Sequence, residues 1–231
     1  MDLALLSTVN EERRARRAAI VVTDVGSGVQ RLVREADARA DSLSVDLLDR
    51  FRTGKSGLVE AEGGSVFYNV HMPPVRLVVI GAVHISQALA PMAKELGLDI
   101  SIIDPRTAFA TAERFPDVPV LAEWPDVALP TLGGLDRYTA LVCLTHDPKI
   151  DDPALISALR AECFYLGALG SRRTHAKRVD RLEAAGFRAE EIARIHAPIG
   201  LDIGAVTPAE IAVSILAELV ATLRGDRRRA A

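Results

Sequence analysis

The sequence is poor in cysteine, in aromatic residues and in any excess of charge, and each shortage argues against a class of protein. Only two cysteines occur among 231 residues, Cys143 and Cys163, and neither belongs to a CxxC pair or a Cys/His group at metal-ligand spacing. A disulfide scaffold and a zinc knuckle are therefore not expected. Aromatics make up 4%, which leaves Ala, Val, Ile and Leu to form the core. With 28 basic against 31 acidic side chains the formal charge is -3, so no global excess exists to hold a nucleic-acid backbone and any anion site must be local. No run reaches the roughly 18 apolar residues of a membrane span, and the amino terminus lacks the pattern of a secretory signal. Glu11 and Glu12 beside the Arg-rich stretch Arg13 to Arg17 argue for a solvated helix face rather than a transit peptide. A cytoplasmic, reducing location is expected, with no membrane and no nucleic-acid partner.

What is present is a globular pattern, with 49% apolar and 26% charged residues. Leu3 to Arg17 predicts an amphipathic helix, Ala18 to Thr23 a strand ending at the turn Asp24 to Gly28, and Val29 to Val33 its hairpin partner. Ser44 to Arg52 predicts a short helix closed by Gly54, and Leu58 to Ala61 with Val66 to Val70 a second hairpin joined at Gly63-Gly64. Pro73-Pro74 then punctuates the chain, so a small α/β unit over residues 1–73 is expected before a larger domain over 74–231.

From Arg76 onward strands alternate with helices, which implies a parallel sheet. Leu77 to Ile80, Ile100 to Ile103, Leu141 to Leu144 and Phe164 to Leu169 read as strands. His84 to Leu96, Pro153 to Ala161 and Ser171 to Ala185 read as helices. Thr207-Pro208-Ala209-Glu210 combines a Thr cap, a Pro at the first helical position and a Glu three residues after the cap. Ile211, Ile215, Leu219 and Leu223 then form an apolar stripe that must face the sheet or a partner. The tail Arg227-Arg228-Arg229 is expected to fray.

Four turns could carry chemistry. Gly81-Ala82-Val83-His84-Ile85-Ser86 stands where a dinucleotide fold has G-x-G-x-x-G, but Val83 and Ser86 replace the second and third glycines. Asp104 follows Gly81 by 23 residues, near the roughly 20-residue spacing at which an acid meets a ribose hydroxyl; Asp104-Pro105 equally well just ends a strand. Gly170-Ser171-Arg172-Arg173 delivers a glycine turn into a helix, where free amides, a hydroxyl and two guanidiniums could hold phosphate. Arg173, Lys177 and Arg181 continue at spacing four, as a basic stripe or a solvated face. His146, after the third strand, is either an acid-base group or part of a polar cap. Gly200 to Ala205 is a glycine-bracketed loop carrying Asp202 and Gly204. Gly54-Lys55-Ser56 imitates a phosphate loop but has Asp49 at the required glycine. Cys143 reads as inert packing, while Cys163 at a strand start could be accessible, with nothing nearby to lower its pKa.

The segments LVVIGAVHIS (77–86), DPRTAFATAERFP (104–116), THDPKIDDPA (145–154), GALGSRR (167–173) and PIGLDIGAVTPAEIAVSILAE (198–218) together resemble the xanthine dehydrogenase accessory factors, also called XdhC/CoxI proteins. The resemblance implies a Rossmann-like parallel sheet with helices on both faces. It also implies a non-enzymatic chaperone that binds molybdenum cofactor, as molybdopterin or its cytosine dinucleotide form, and hands it to a molybdenum hydroxylase apo-enzyme after a cysteine desulfurase supplies the terminal sulfur. The implied cofactor contacts are Gly81, Val83, His84, Asp104, Arg106, His146, Gly170, Ser171, Arg172, Arg173, Asp202 and Gly204. Where many members carry a Ser-Gly-Gly-Cys-type motif, Thr53 to Glu60 (TGKSGLVE) has no cysteine. Alternatives from other classes are an NAD(P)-dependent oxidoreductase using Asp104 and His146, and a nucleotide-sensing regulator that signals through the last helix. A homodimer is expected because closed two-fold assemblies are the commonest oligomers.

Overall fold

A computed structural model of the protein describes residues 2–61 and 64–228; Gly63 of the expected hairpin turn and Arg229 of the tail lie outside them. The chain divides into two compact units, one holding the residues up to Pro74 and one spanning Val75–Gly225.

The first unit contains α1 (Leu3–Arg14), β1 (Ala19–Asp24), β2 (Gln30–Arg34), a 3-10 turn (Glu35–Ala40), α2 (Ser44–Thr53), β3 (Gly57–Ala61) and β4 (Gly64–His71). Its strands form an antiparallel sheet in the order β2-β1-β4-β3. α1 stops three residues short of the expected end because the chain turns through a left-handed Arg16. Glu12 is not on a solvated face. It is buried, and its carboxylate accepts from Arg17 Nε at 2.6 Å and from Arg34 Nε at 2.9 Å. Those two guanidiniums hold its carboxyl below the usual range against the opposing effect of burial, the pairing that a buried charge requires. Gly54 is the left-handed cap of α2, so Gly54-Lys55-Ser56 ends a helix and is no phosphate loop.

The second unit runs β5 (Arg76–Ile80), α3 (His84–Glu95), β6 (Asp99–Ile103), β7 (Val120–Leu121), α4 (Pro125–Thr131), β8 (Thr139–Cys143), α5 (Pro148–Arg160), β9 (Tyr165–Ala168), α6 (Arg172–Ala184), α7 (Ala189–Ile192), β10 (Ile195–His196) and α8 (Pro208–Arg228). All six strands are parallel, in the order β10-β9-β8-β5-β6-β7. This is the doubly wound Rossmann order, in which the chain builds outward from β5 and then restarts at β8, leaving a crevice where their carboxyl ends part. Alternation along β5 separates two apolar layers. Leu77 and Val79 pack with residues of α3 and α8, while Val78 and Ile80 pack with α4, α5, α6 and α7.

α5 begins at Pro148, five residues before the expected start, because Asp147 accepts the Lys149 amide at 2.9 Å and Pro148 takes the first helical position. The expected cap of α8 forms: Thr207 Oγ1 accepts from the Glu210 amide at 3.3 Å, and the Glu210 carboxylate accepts the Val206 and Thr207 amides at 2.8 Å. Its stripe faces the sheet, with Ile215 and Leu219 fully buried, so it is not a free surface for signalling or self-association. Truncation should report this directly. Ile215→Ala is expected to lower unfolding free energy by about 2–4 kcal/mol in urea denaturation, whereas Val213→Ala, at a side chain 47% exposed, should change it by less than about 0.5 kcal/mol.

Candidate functional site

The chemistry-bearing residues of the second unit sit where strands end. β5 exits into Gly81, whose φ is +113°, and a Cβ built there would stand 2.8 Å from Thr145 Cγ2 at the exit of β8. Only glycine satisfies both the backbone and the contact. The next residue is fixed from β6. Ala82 N–H donates to Asp104 Oδ2 at 2.8 Å, while Arg106 donates its amide and Nε to Oδ1, each at 2.9 Å, and a terminal nitrogen to Oδ2 at 2.8 Å. Burial would raise the Asp104 carboxyl, but the Arg106 guanidinium and these two amides outweigh it and hold the group ionised below its usual range. With both oxygens engaged and no exposure, Asp104 clamps the turn and has no free oxygen for a ribose hydroxyl.

The residues in the places of the missing glycines also have structural tasks. Val83 is the extended cap residue of α3, and His84 opens the helix exposed to solvent. Ser86 is buried and its hydroxyl donates to the Gly81 carbonyl at 2.5 Å, tying helix to turn. Arg114 supports the same turn by donating to the Ala82 carbonyl at 2.8 Å and to Gln87 Oε1 at 3.0 Å.

β8 exits into Thr145 and then His146, an exposed residue in the left-handed region at φ +64°, a conformation that non-glycine residues seldom adopt. Thr145 Oγ1 donates to Asp151 Oδ1 at 2.6 Å. Asp151 is 2% exposed and its Oδ2 has no partner. Burial pushes its carboxyl up to about 6, against the Thr145 hydrogen bond and the Arg178 charge.

β9 exits into Gly170, at φ +136° and against Thr174, where a Cβ would meet that side chain at 3.1 Å. Ser171 caps α6 by accepting the Thr174 amide at 3.2 Å, which leaves the amides of Arg172 and Arg173 without an intrahelical acceptor. α5 and α6 then enclose a cavity of about 230 Å³ whose lining includes His146, Asp151, Asp152, Arg173, Lys177, Arg178 and Arg181. Within it, Arg181 is paired to Asp152 through two bonds of 2.5 and 3.1 Å.

The expected site residues thus fall into separate groups. Gly81, Val83, His84, Asp104 and Arg106 form the first turn; Gly170, Ser171 and Arg172 form the α6 start; His146 and Arg173 meet in the cavity. Asp202 and Gly204 lie in an exposed loop, and no described contact joins them to the other groups. The glycine that this loop needs is Gly200, at φ +91°, where a Cβ would stand 2.3 Å from Ser214 Oγ. The loop is anchored by Glu218, which accepts the Gly200 amide at 2.9 Å and the Tyr165 hydroxyl at 2.6 Å and contacts His196 Nδ1 at 3.1 Å. Asp151, Thr145, Arg178 and Arg114 were not singled out by pattern. An acid in a first helical turn is ordinary dipole complementation, so the signals for Asp151 were its place four residues after the capping Asp147 and its presence in the segment THDPKIDDPA. Cys163 is buried, not accessible, and burial pushes its thiol up to about 12 and that of Cys143 well above the usual range. Among the described residues no cluster of His, Cys, Asp and Glu could hold a metal ion, and no helix is long and apolar enough to cross a membrane.

Folded Asp151 keeps its proton to about pH 6, while its ordinary value is 3.8. Between those values the folded state binds more protons, so the contribution of this group to stability is greatest below pH 4 and is lost as pH rises through 6. Asp151→Asn is therefore expected to stabilise the protein by roughly 1–2 kcal/mol at pH 8 and to have little effect at pH 4. Urea denaturation at the two pH values checks this, and a destabilisation confined to pH 8 would refute it.

The model of the XdhC Rossmann domain family matches residues 77–219, the stretch that holds every turn described above. The chain is 35% identical over 210 residues to the uncharacterized protein YqeB of Escherichia coli, covering 87% of this chain and 38% of that protein. It is 36% identical over 152 residues to the molybdenum cofactor insertion chaperone PaoD of E. coli, covering 66% and 41%. It shares the fold of a xanthine dehydrogenase crystal structure from Bacillus halodurans, at TM-score 0.65 and 23% identity, covering 97% of this chain and 66% of that one. The chain spans only about two fifths of the length of the curated relatives it matches. With a family model over most of its length and relatives more than a third identical, the chain belongs to the XdhC Rossmann domain family.

Proposed function

We propose that the protein binds molybdenum cofactor and presents it for sulfuration and insertion into a molybdenum hydroxylase of the xanthine or carbon monoxide dehydrogenase type. The observation that carries this reading is a pair of glycine-dependent strand exits on a doubly wound sheet, one of which leads straight into the cationic start of α6, in a chain similar to a named molybdenum cofactor insertion chaperone. Arg172, Arg173 and the amides at the start of α6 suit the phosphate of the pterin, because helix dipole and side-chain charge act in one direction. The Gly81 turn, held by Asp104, Arg106 and Arg114, is a second rigid strand exit at the carboxyl edge of the same sheet. Such a site binds without transforming its cargo, and delivery requires that the affinity stay moderate.

Both thiols of the chain are buried and held in the protonated form, which supports a separate cysteine desulfurase as the sulfur donor. A homodimer acting in the cytoplasm belongs to the same reading. The hydride-transfer alternative loses its ribose acceptor, since Asp104 is enclosed by its own turn, and Val83 stands where a dinucleotide needs glycine.

Anaerobic titration tests the reading. Saturable one-to-one retention of molybdenum cofactor is expected, with no comparable affinity for NADH or NADPH, and Arg172→Ala plus Arg173→Ala should weaken retention about tenfold or more. Tight nicotinamide binding without pterin retention would overturn it.

A further inference from the structure

The residues that line the cavity between α5 and α6 include two, Asp151 and Arg178, that each carry a buried polar atom with no partner in the fold. Arg178 is 2% exposed; its terminal nitrogens reach the Leu169 carbonyl at 3.1 Å and His175 Nδ1 at 3.5 Å, but Nε has no partner. Asp151, equally buried on the same cavity, has no partner for Oδ2. Buried polar groups are nearly always paired, yet here Asp151 is bonded through Oδ1 to Thr145 and Arg178 through a terminal nitrogen to Leu169, while Oδ2 and Nε have no partner.

The charge around the void is also unbalanced. Arg181 and Asp152 neutralise one another. That leaves three cations, Arg173, Lys177 and Arg178, against the one carboxylate of Asp151, a surplus of two positive charges. The start of α6 adds its positive dipole end. At about 230 Å³ the space is smaller than the roughly 300–1,000 Å³ that encloses a whole ligand, so it suits a charged group at the end of a molecule.

We infer that this cavity is a binding site for a phosphate monoester dianion, held by Arg173, Lys177 and Arg178 and by a hydrogen bond donated from the Asp151 carboxyl. An ionised Asp151 would repel the dianion, whereas a protonated one donates, so binding takes up a proton from solvent. Burial already brings that proton within reach near pH 6. The groups facing Asp151 are Thr145 and His146 from the β8 exit, Asp152 beside it, Arg178 and Arg181 from α6, and Arg106 from the β6 exit. For the identity of the ligand this inference rests on the proposed function: the monoester is then the terminal phosphate of the bare pterin. The cytosine dinucleotide form, in which that phosphate is part of a diphosphate, has no such end group and fits less well.

Calorimetric titration of the full chain with inorganic phosphate and with sulfate tests the site, sulfate serving as a dianion whose charge does not change between pH 6 and 8. One-to-one binding of both is expected. Lys177→Ala, at an exposed position that does not threaten folding, should weaken it about tenfold, and Lys177→Arg should restore most of it. Wild-type sulfate affinity should rise severalfold from pH 8 to pH 6. Asp151→Asn should remove most of that rise, while binding at least as well as wild type at pH 8. Absence of saturable binding, or binding that Lys177→Ala leaves unchanged, would overturn the site. Molybdenum cofactor retention, measured on the same variants, separates the two claims. Retention without anion binding removes the cavity site and leaves the proposed function standing, whereas anion binding without any retention does the reverse.

Discussion

The contact between Gly81 and Thr145 is the constraint from which the rest of the site follows. Two strand exits approach so closely that one of them has room for no side chain, and this approach sets the positions of both neighbouring networks. On the β6 side, Ala82 is drawn onto Asp104, which Arg106 keeps ionised in a fully buried place. On the α5 side, Thr145 is aimed at Asp151, and Asp151 in turn faces Arg178 across the α5–α6 cavity. A side chain at position 81 would displace Thr145 and with it the hydrogen bond that orients Asp151, so the turn and the cavity are parts of one arrangement.

The two buried carboxylates of this arrangement do opposite things because their partners differ. Asp104 receives two amides and a guanidinium and is kept below its ordinary range; at Asp151 burial outweighs the Thr145 hydroxyl, the Arg178 charge and the nearby Thr145 and His146 amides, and the group is pushed above it. The first is an architectural charge, satisfied within the chain. The second has unmet hydrogen-bonding capacity next to surplus positive charge, the combination expected where an anion and a proton bind together.

Much of the architecture was legible because it rests on local rules. The apolar runs of β5, β6, β8 and β9 are buried on both faces, and the Thr207 cap and four-residue stripe of α8 are written in consecutive residues. Short elements escaped, since β7 and β10 have two residues each and α7 has four, too few to show a period. The start of α5 was missed because Pro153 looks like an opening proline although Asp147-Pro148 already opens the helix. At the site, Gly81 and Gly170 could be found as turn glycines. Asp104 could be found too, but its partner could not, because a carboxylate at the end of a strand carries no mark of whether it will meet a ribose or the amide of a neighbouring turn. Glu12 and Asp151 were hidden for the same reason: the Arg34 that pairs with one is 22 residues away, and the Arg178 that faces the other is on a different helix.

The most direct measurement of the account is cofactor transfer. The protein, loaded anaerobically with sulfurated molybdenum cofactor, would be mixed with an apo-hydroxylase of the xanthine dehydrogenase type, with an equal amount of free cofactor as the reference. The account predicts that hydroxylase activity appears faster and to a higher final level from the loaded protein. Activation no better than that by free cofactor, or a cofactor that stays on the protein, would contradict it.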